Sequence, residues 1–166
     1  MMLECDVLVA GSGAAGLAAA VTAAHQGLRV VVVEKAPVFG GTSCFSAGLV
    51  WIPGSRQARA AGIEDDPALA LQYLRGEGGA YTDEAKAEAY LRQAADIFAW
   101  FEDHTHVSYH LSPMWPDYHQ GVAGASRGGR SLGANPFDAR RLGPRLRDLR
   151  PPLSSTTIFG GMIVGR

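Results

Sequence analysis

The sequence predicts an α/β fold built on a parallel strand–helix–strand unit, with a helical segment inserted after it. Three observations carry that prediction. A short apolar run, Asp6–Ala10, ends at a turn holding Gly11, Gly13 and Gly16. An alanine-rich stretch follows from Ala14 to about Gln26 and stops at Gly27, a good helix terminator. The β-branched run "RVVVVE", Arg29–Glu34, then reads as a second strand. Two strands joined through one helix pair in parallel, and runs this apolar are expected to be buried on both faces.

The remaining elements follow in order. Residues 35–53 are rich in Gly, Ser, Thr and aromatic side chains without a period, which predicts a long loop, and loops of that length inside a domain are commonly functional. Asp66 and Pro67 supply an N-cap and a proline at the first helical position, starting a helix that runs to about Gly76. Thr82 is expected to cap a longer helix with acids in its first turn. Its Ala87, Tyr90, Leu91, Ala94, Ala95, Phe98 and Phe101 recur at steps of three and four and define one buried face. The whole helical segment spans 66–104. Residues 105–155 lose this periodicity and are expected to be irregular, and "TIFGGMIVGR" reads as a last strand or the entry to a helix.

Composition narrows the function. With 166 residues, 47% of them hydrophobic and 19% charged, the chain is an ordinary globular one, sufficient for one domain. Its 21 glycines cluster around positions 11–16, 40–48 and 121–133, as in loops that touch a ligand. The net charge of −1 hides a balance of −7 over residues 1–126 and +6 over 127–166. The arginines of the basic part alternate with Pro, Gly and Leu, without a nucleic-acid-binding motif. They read as a face for the acidic half or for a diphosphate, not for nucleic acid. Cys5 and Cys44 form no CxxC pair, the N-terminus lacks a secretory pattern, and no apolar run is long enough for a membrane span; a cytoplasmic setting is expected. His104, His106 and His110 match no common zinc spacing, so no metal is expected. Neither a hydrolase nucleophile elbow nor a Walker lysine loop is present.

Gly11, Gly13 and Gly16 fit G-x-G-x-x-G, in which the first glycine allows the tight turn, the second admits a diphosphate and the third lets helix and strand pack closely. Ser12, Ala14 and Ala15 complete the turn, and the helix behind it aims its amides and positive dipole end at the phosphates. Glu34 ends the second strand 18 residues past Gly16, where a carboxylate accepts both hydroxyl hydrogens of an adenosine ribose. The unit is therefore Rossmann-like. Glu34 also disfavours a 2′-phosphate and hence NADP, leaving NAD and FAD.

"EKAPVFGGTSCFSAGLVWIPG" separates these two by resemblance. Glu34 and Lys35, the run Gly40, Gly41, Thr42 and Ser43, then Ser46, Ala47 and Gly48, and finally Trp51-Ile52-Pro53 resemble the FAD-binding flavoproteins of the fumarate reductase and succinate dehydrogenase type. Within that family they are most similar to the 3-ketosteroid Δ1-dehydrogenases. The resemblance implies that this loop lines FAD, with glycines admitting the cofactor and hydroxyls donating to it. The covalent histidine of the membrane-complex branch is missing from the loop, which implies non-covalent FAD; Cys44 reads as a small packing residue.

The resemblance continues through Pro116-Asp117-Tyr118 and Gly129-Arg130-Ser131. It implies that Tyr118 is catalytic, lining the steroid site and supporting a second tyrosine that acts as base, with His119 tuning the same place. A phenol suits a reaction in which hydride leaves one ring carbon and a proton leaves its neighbour. The implied activity is introduction of a C=C bond beside a ketone, with a steroid-like ketone as substrate. The alternatives are a reductase of fumarate or another unsaturated acid, and a nucleotide-binding remnant without turnover. The resemblance covers the N-terminal portion of a family member. A cap domain and a C-terminal FAD segment are expected to lie outside this chain, which by itself is expected to be under-covered and inactive, with the rest of the protein as a partner.

Overall fold

The computed structural model describes residues 2–158 and 162–163. The chain divides into two compact units, Met1–Ala47 with Asp138–Arg166, and Gly48–Phe137.

In the first unit β1 (Val7–Ala10) leads into α1 (Ala14–His25) and then β2 (Val30–Val33). The two strands pair in parallel from Val7↔Val30 to Ala10↔Val33, as the sequence predicts. The expected two-sided burial is not observed. Val9 faces α1 and is 8% exposed, whereas Leu8, on the opposite face, is 63% exposed and Val33 is 47% exposed. The reason is that this sheet has only two strands among the described residues, and α1 covers one of its faces. A short 3-10 turn, Gly41–Phe45, gives the first part of the expected loop local order. Phe39 and Leu149 form a parallel bridge, with Phe39 N donating to Asp148 O and Arg150 N to Phe39 O, both at 2.8 Å. Before that bridge lies a 3-10 stretch, Ala139–Asp148, broken at Gly143.

The end of the chain contains a short antiparallel pair. The other unit's strands are β3 (Leu49–Trp51), β4 (Tyr109–Leu111) and β5 (Ser131–Ala134), while the terminal pair is β6 (Thr157–Ile158) with β7 (Met162–Ile163). Of "TIFGGMIVGR", residues 159–161 and 164–166 lie outside the described residues.

The second unit corrects the sequence reading most. β3, β5 and β4 form an antiparallel sheet in that order, with Val50↔Leu132 and Leu111↔Leu132 in register. Part of the expected loop 35–53 is thus a strand, and the stretch expected to be irregular supplies two more. Strands of three or four residues are too short to display an alternating pattern. Three helices accompany the sheet: α2 (Arg56–Ala60), α3 (Pro67–Gly78) and α4 (Glu84–His104). Asp66 caps α3 as expected, accepting from Ala68 N at 2.8 Å. Asp83 caps α4, accepting from Lys86 N at 3.2 Å, in place of the expected Thr82, whose hydroxyl donates to Leu74 O at 3.3 Å. Ile52, Ala94 and Leu132 form the buried centre, with Val50, Ala95, Phe98, Tyr109 and Leu111 packed around it. The apolar face expected on α4 therefore meets the sheet. No helix among the described residues is long and apolar enough to cross a membrane.

Candidate functional site

The glycine turn is assembled as the spacing requires. Gly11 adopts φ +101°, a left-handed conformation that side chains rarely tolerate, and its amide donates to Val33 O at 2.7 Å. A Cβ on Gly16 would overlap the Gly11 carbonyl oxygen, so only glycine lets α1 approach the strand end. Ser12 is 2% exposed and is the node of the turn. Its amide donates to Glu34 Oε2 at 2.9 Å, its hydroxyl donates to the same oxygen, and the hydroxyl accepts from Gly40 N at 2.9 Å. Glu34 Oε1 takes the Ala36 N–H at 3.0 Å. The Ala36 amide, followed by the Ser12 hydroxyl and amide, lowers the Glu34 pKa to about 2 against the opposing effect of burial. Glu34 is therefore fully ionised at any physiological pH.

The start of α1 carries no acid in its first turn, and its N-cap Gly13 offers no side-chain cap. The positive end of the helix dipole is left for an anion from elsewhere. Ala14 N is held by Ser43 Oγ at 2.9 Å, so the 3-10 turn docks directly on the helix start, and Ala15 stays exposed beside it. Lys35, Thr42, Ser46 and Ala47 are exposed, and Cys44 is half-buried with its sulfur against Gly40. Gly48 belongs to the second unit, where its neighbour is Ala134. Arg150, absent from the sequence reading, sits with its guanidinium carbon 5.7 Å from the Phe45 ring centroid, and its Nε is buried without a hydrogen-bond partner. An ionised carboxylate with lone pairs left over, an acid-free helix start and an orphaned guanidinium nitrogen suit the ribose and diphosphate of FAD. Spacing alone could not reveal Arg150, which joins this unit from more than a hundred residues away.

Within the second unit a cavity of about 330 Å³ is walled by Leu49, Val50, Trp51, Tyr73, Trp115 and Tyr118. Tyr118 is 82% exposed at its rim. Trp51 and Tyr73 lie with ring centroids 6.0 Å apart and planes tilted by 34°, and Trp51 stacks on Tyr90 from outside the cavity lining at 6.4 Å. His119 Nδ1 meets Glu77 Oε1 at 2.7 Å and His119 N donates to Tyr73 Oη at 3.4 Å. Burial raises the Tyr73 pKa, keeping that phenol protonated, while His119 holds the Glu77 carboxyl below its ordinary value. The three histidines in and after α4's last turn serve local structure: His104 Nδ1 is bonded to Trp100 O, His106 stacks near Phe137, and His110 Nδ1 meets Asn135 Oδ1 at 2.9 Å.

Arg130 is not part of a basic face. It is buried between Asp65 and Asp117, so the charge asymmetry along the sequence is partly cancelled inside this unit. The Asp117–Arg130 pair also joins the Pro-Asp-Tyr and Gly-Arg-Ser segments, a connection the sequence leaves unseen.

Known proteins match this arrangement. Over 149 residues, 90% of this chain, the sequence is 42% identical to the 3-oxosteroid 1-dehydrogenase of Mycolicibacterium smegmatis, covering 26% of that protein. It is 42% identical over 161 residues, 96% of the chain and 27% of the relative, to a 4-oxocyclohex-2-ene-1-carboxylate 5-dehydrogenase of Sinomonas cyclohexanicum. The crystal structure of a 3-ketosteroid Δ1-dehydrogenase from Sterolibacterium denitrificans, in complex with 1,4-androstadiene-3,17-dione, superposes with a TM-score of 0.86 at 37% identity, covering 96% of this chain and 28% of that one. The chain thus spans about a quarter of the length of the relatives it matches. The family model described as an FAD binding domain matches residues 6–164, and the chain belongs to that FAD-binding family.

Proposed function

We propose that this chain is the FAD-binding part of a dehydrogenase that converts a C–C single bond beside a ring ketone into a double bond, with a 3-ketosteroid as substrate. When bound, FAD supplies the hydride acceptor. The chain's own residues do the rest. Glu34 accepts from the adenosine ribose and repels a 2′-phosphate. The α1 amides and dipole hold the diphosphate, and Gly40–Gly48, which lacks a histidine, admits the flavin without a covalent bond. Tyr118 is among the cavity's lining residues, and its phenol supports removal of the proton that accompanies hydride loss. Cys5 and Cys44, both free, fit a reduced cytoplasmic setting.

The carrying observation is the make-up of that cavity. Among the described residues its lining includes aromatic and aliphatic side chains with Glu77 and Asp117, and neither Arg nor His. A flat apolar ring system suits such walls, whereas a dicarboxylate such as fumarate needs cationic groups around it. The test is turnover by the complete flavin-loaded dehydrogenase of which this chain is the FAD-binding part, with an artificial electron acceptor, comparing a 3-ketosteroid, a 4-oxocyclohexanecarboxylate and fumarate. Ring-ketone oxidation without fumarate reduction supports the reading. Fumarate reduction alone, or a protein without flavin absorbance, overturns it.

A further inference from the structure

Arg130 is 2% exposed, whereas the other described arginines of the basic stretch are half-buried or exposed. Its guanidinium forks onto Asp65, with Nε at 2.9 Å from Oδ2 and Nη2 at 2.7 Å from Oδ1. Its Nη1 donates to Asp117 Oδ2 at 2.8 Å and to the Gly124 carbonyl at 2.9 Å. The side chains of Arg130, Asp65 and Asp117 are 3%, 8% and 2% exposed. Asp117 is satisfied on both oxygens: Oδ1 takes the Trp51 indole N–H at 2.6 Å and Oδ2 takes Ser126 N at 2.8 Å. The Arg130 guanidinium carbon also lies 5.6 Å from the Trp51 ring centroid, within cation–π range. Its backbone carbonyl accepts from Ile52 N at 2.6 Å.

One cation therefore fastens three separate pieces of chain: the segment before α3 through Asp65, the loop between β4 and β5 through Asp117 and Gly124, and β3 through Trp51. That loop has no regular structure of its own, yet it carries Trp115 and Tyr118. Asp117 is the residue immediately before Tyr118, so fixing its backbone and side chain fixes the origin of the phenol. Two members of the cluster's hydrogen-bond shell, Trp51 and Asp117, line the cavity itself. A buried charge cluster adds little net stability compared with apolar packing, so specificity of geometry is the more economical explanation for it.

We propose that Arg130 and Asp65 are positioning residues for this cavity: they lock Asp117, and through it Trp51 and Tyr118, into the shape that accepts the ring ketone. This rests on the reading of the cavity as the substrate site. Neither Arg130 nor Asp65 touches the substrate.

The flavin-loaded protein is tested in two variants. Arg130→Lys keeps the charge and loses the fork. The triple variant Arg130→Met, Asp65→Asn, Asp117→Asn removes all three charges at once, so no buried carboxylate is left unpaired. Titration with a 3-ketosteroid, followed through the flavin spectrum, is expected to give Kd values about tenfold above wild type in both variants, as for loss of a charge-assisted contact. FAD content is expected to stay unchanged. Wild-type Kd in the folded variants overturns the proposal, even if thermal stability drops, because the cluster is then only structural. If the wild type binds no ring ketone, the substrate reading itself fails, and Trp51 decides the positioning role separately. In a Trp100→Phe, Trp115→Phe background Trp51 is the sole tryptophan. Arg130→Lys is expected at least to double its acrylamide quenching constant, and an unchanged constant overturns the proposal.

Discussion

The two units solve the problem of holding a site in different ways. In Gly48–Phe137 an apolar centre stands beside the buried Arg130 cluster: Ile52 and Leu132 are 1% exposed, Ala58 and Ala70 fully buried, and Ala94 5% exposed. In the nucleotide-binding unit the buried hydrophobic residues are only Val9 and Ala20 among those described, and the tightest ties are polar, running from Ser12 to Glu34 and Gly40. A site that must admit a charged dinucleotide cannot close over itself with apolar side chains. It keeps its shape through backbone amides and one carboxylate. Mutations of the apolar centre should therefore register as lost stability, and mutations of the polar ties around Ser12 as lost FAD affinity.

The largest expected effect tests the apolar side of this contrast. Ile52→Ala should cost about 3 kcal/mol in chemical denaturation, since a fully enclosed side chain leaves a cavity behind. Val9→Ala should cost about 1.5 kcal/mol, the transfer free energy of the methyl groups removed. Equal losses would erase the distinction. Next, Ser12→Ala strips a donor from Glu34 and an acceptor from Gly40 N, and should weaken FAD binding by about 2 kcal/mol, or some thirtyfold, measured by flavin fluorescence titration. The helix caps give a smaller and more local test. Asp83→Ala should lower stability by about 1 kcal/mol, and Thr82→Ala by under about 0.5 kcal/mol, in thermal melts.

The smallest and most conditional effect is that of pH. The folded pKa of Glu34 is lowered from 4.5 to about 2, so the folded state holds its proton less tightly than the unfolded one. The stability this gives is complete above the ordinary carboxylate value and disappears as pH falls through about 2. A difference in denaturation midpoint between wild type and Glu34→Gln should therefore shrink steadily below pH 4.5. A difference that persists unchanged at the acid end would show that the charge of Glu34 is not what holds the turn.

What the sequence made legible was local. The crossover from β1 through α1 to β2 is readable because strand, glycine turn, helix and strand fall within 27 consecutive residues, Val7–Val33. The caps of α3 and α4 depended on near neighbours: Pro67 at the first helical position selects Asp66 over the adjacent Asp65, whereas Thr82 and Asp83 are adjacent and only packing chose between them. The sheet β3–β5–β4 was hidden because its strands are three or four residues long and Val50 finds Leu132 more than eighty positions away. The same holds for the site. Glu34 and the glycines announced themselves through spacing, while Arg130 reaches Asp65 across 65 residues and Asp117 across 13, separations that carry no periodic signal. Tyr118 was singled out by resemblance, and the reason for its place, the anchored Asp117 beside it, emerged only in three dimensions.

The Ser12 hydroxyl has one proton, and that proton is committed to Glu34; one of its lone pairs is committed to Gly40. The acid at the end of β2 is the natural position to alter when retargeting a nucleotide fold from one cofactor to another. Here such an exchange would not be modular. Replacing Glu34 by a basic residue to welcome a 2′-phosphate would free the serine proton, let the hydroxyl rotate, and release the loop that begins at Gly40. Cofactor preference and loop order are coupled through a single oxygen atom, so redesign of one has to begin with a new partner for the other.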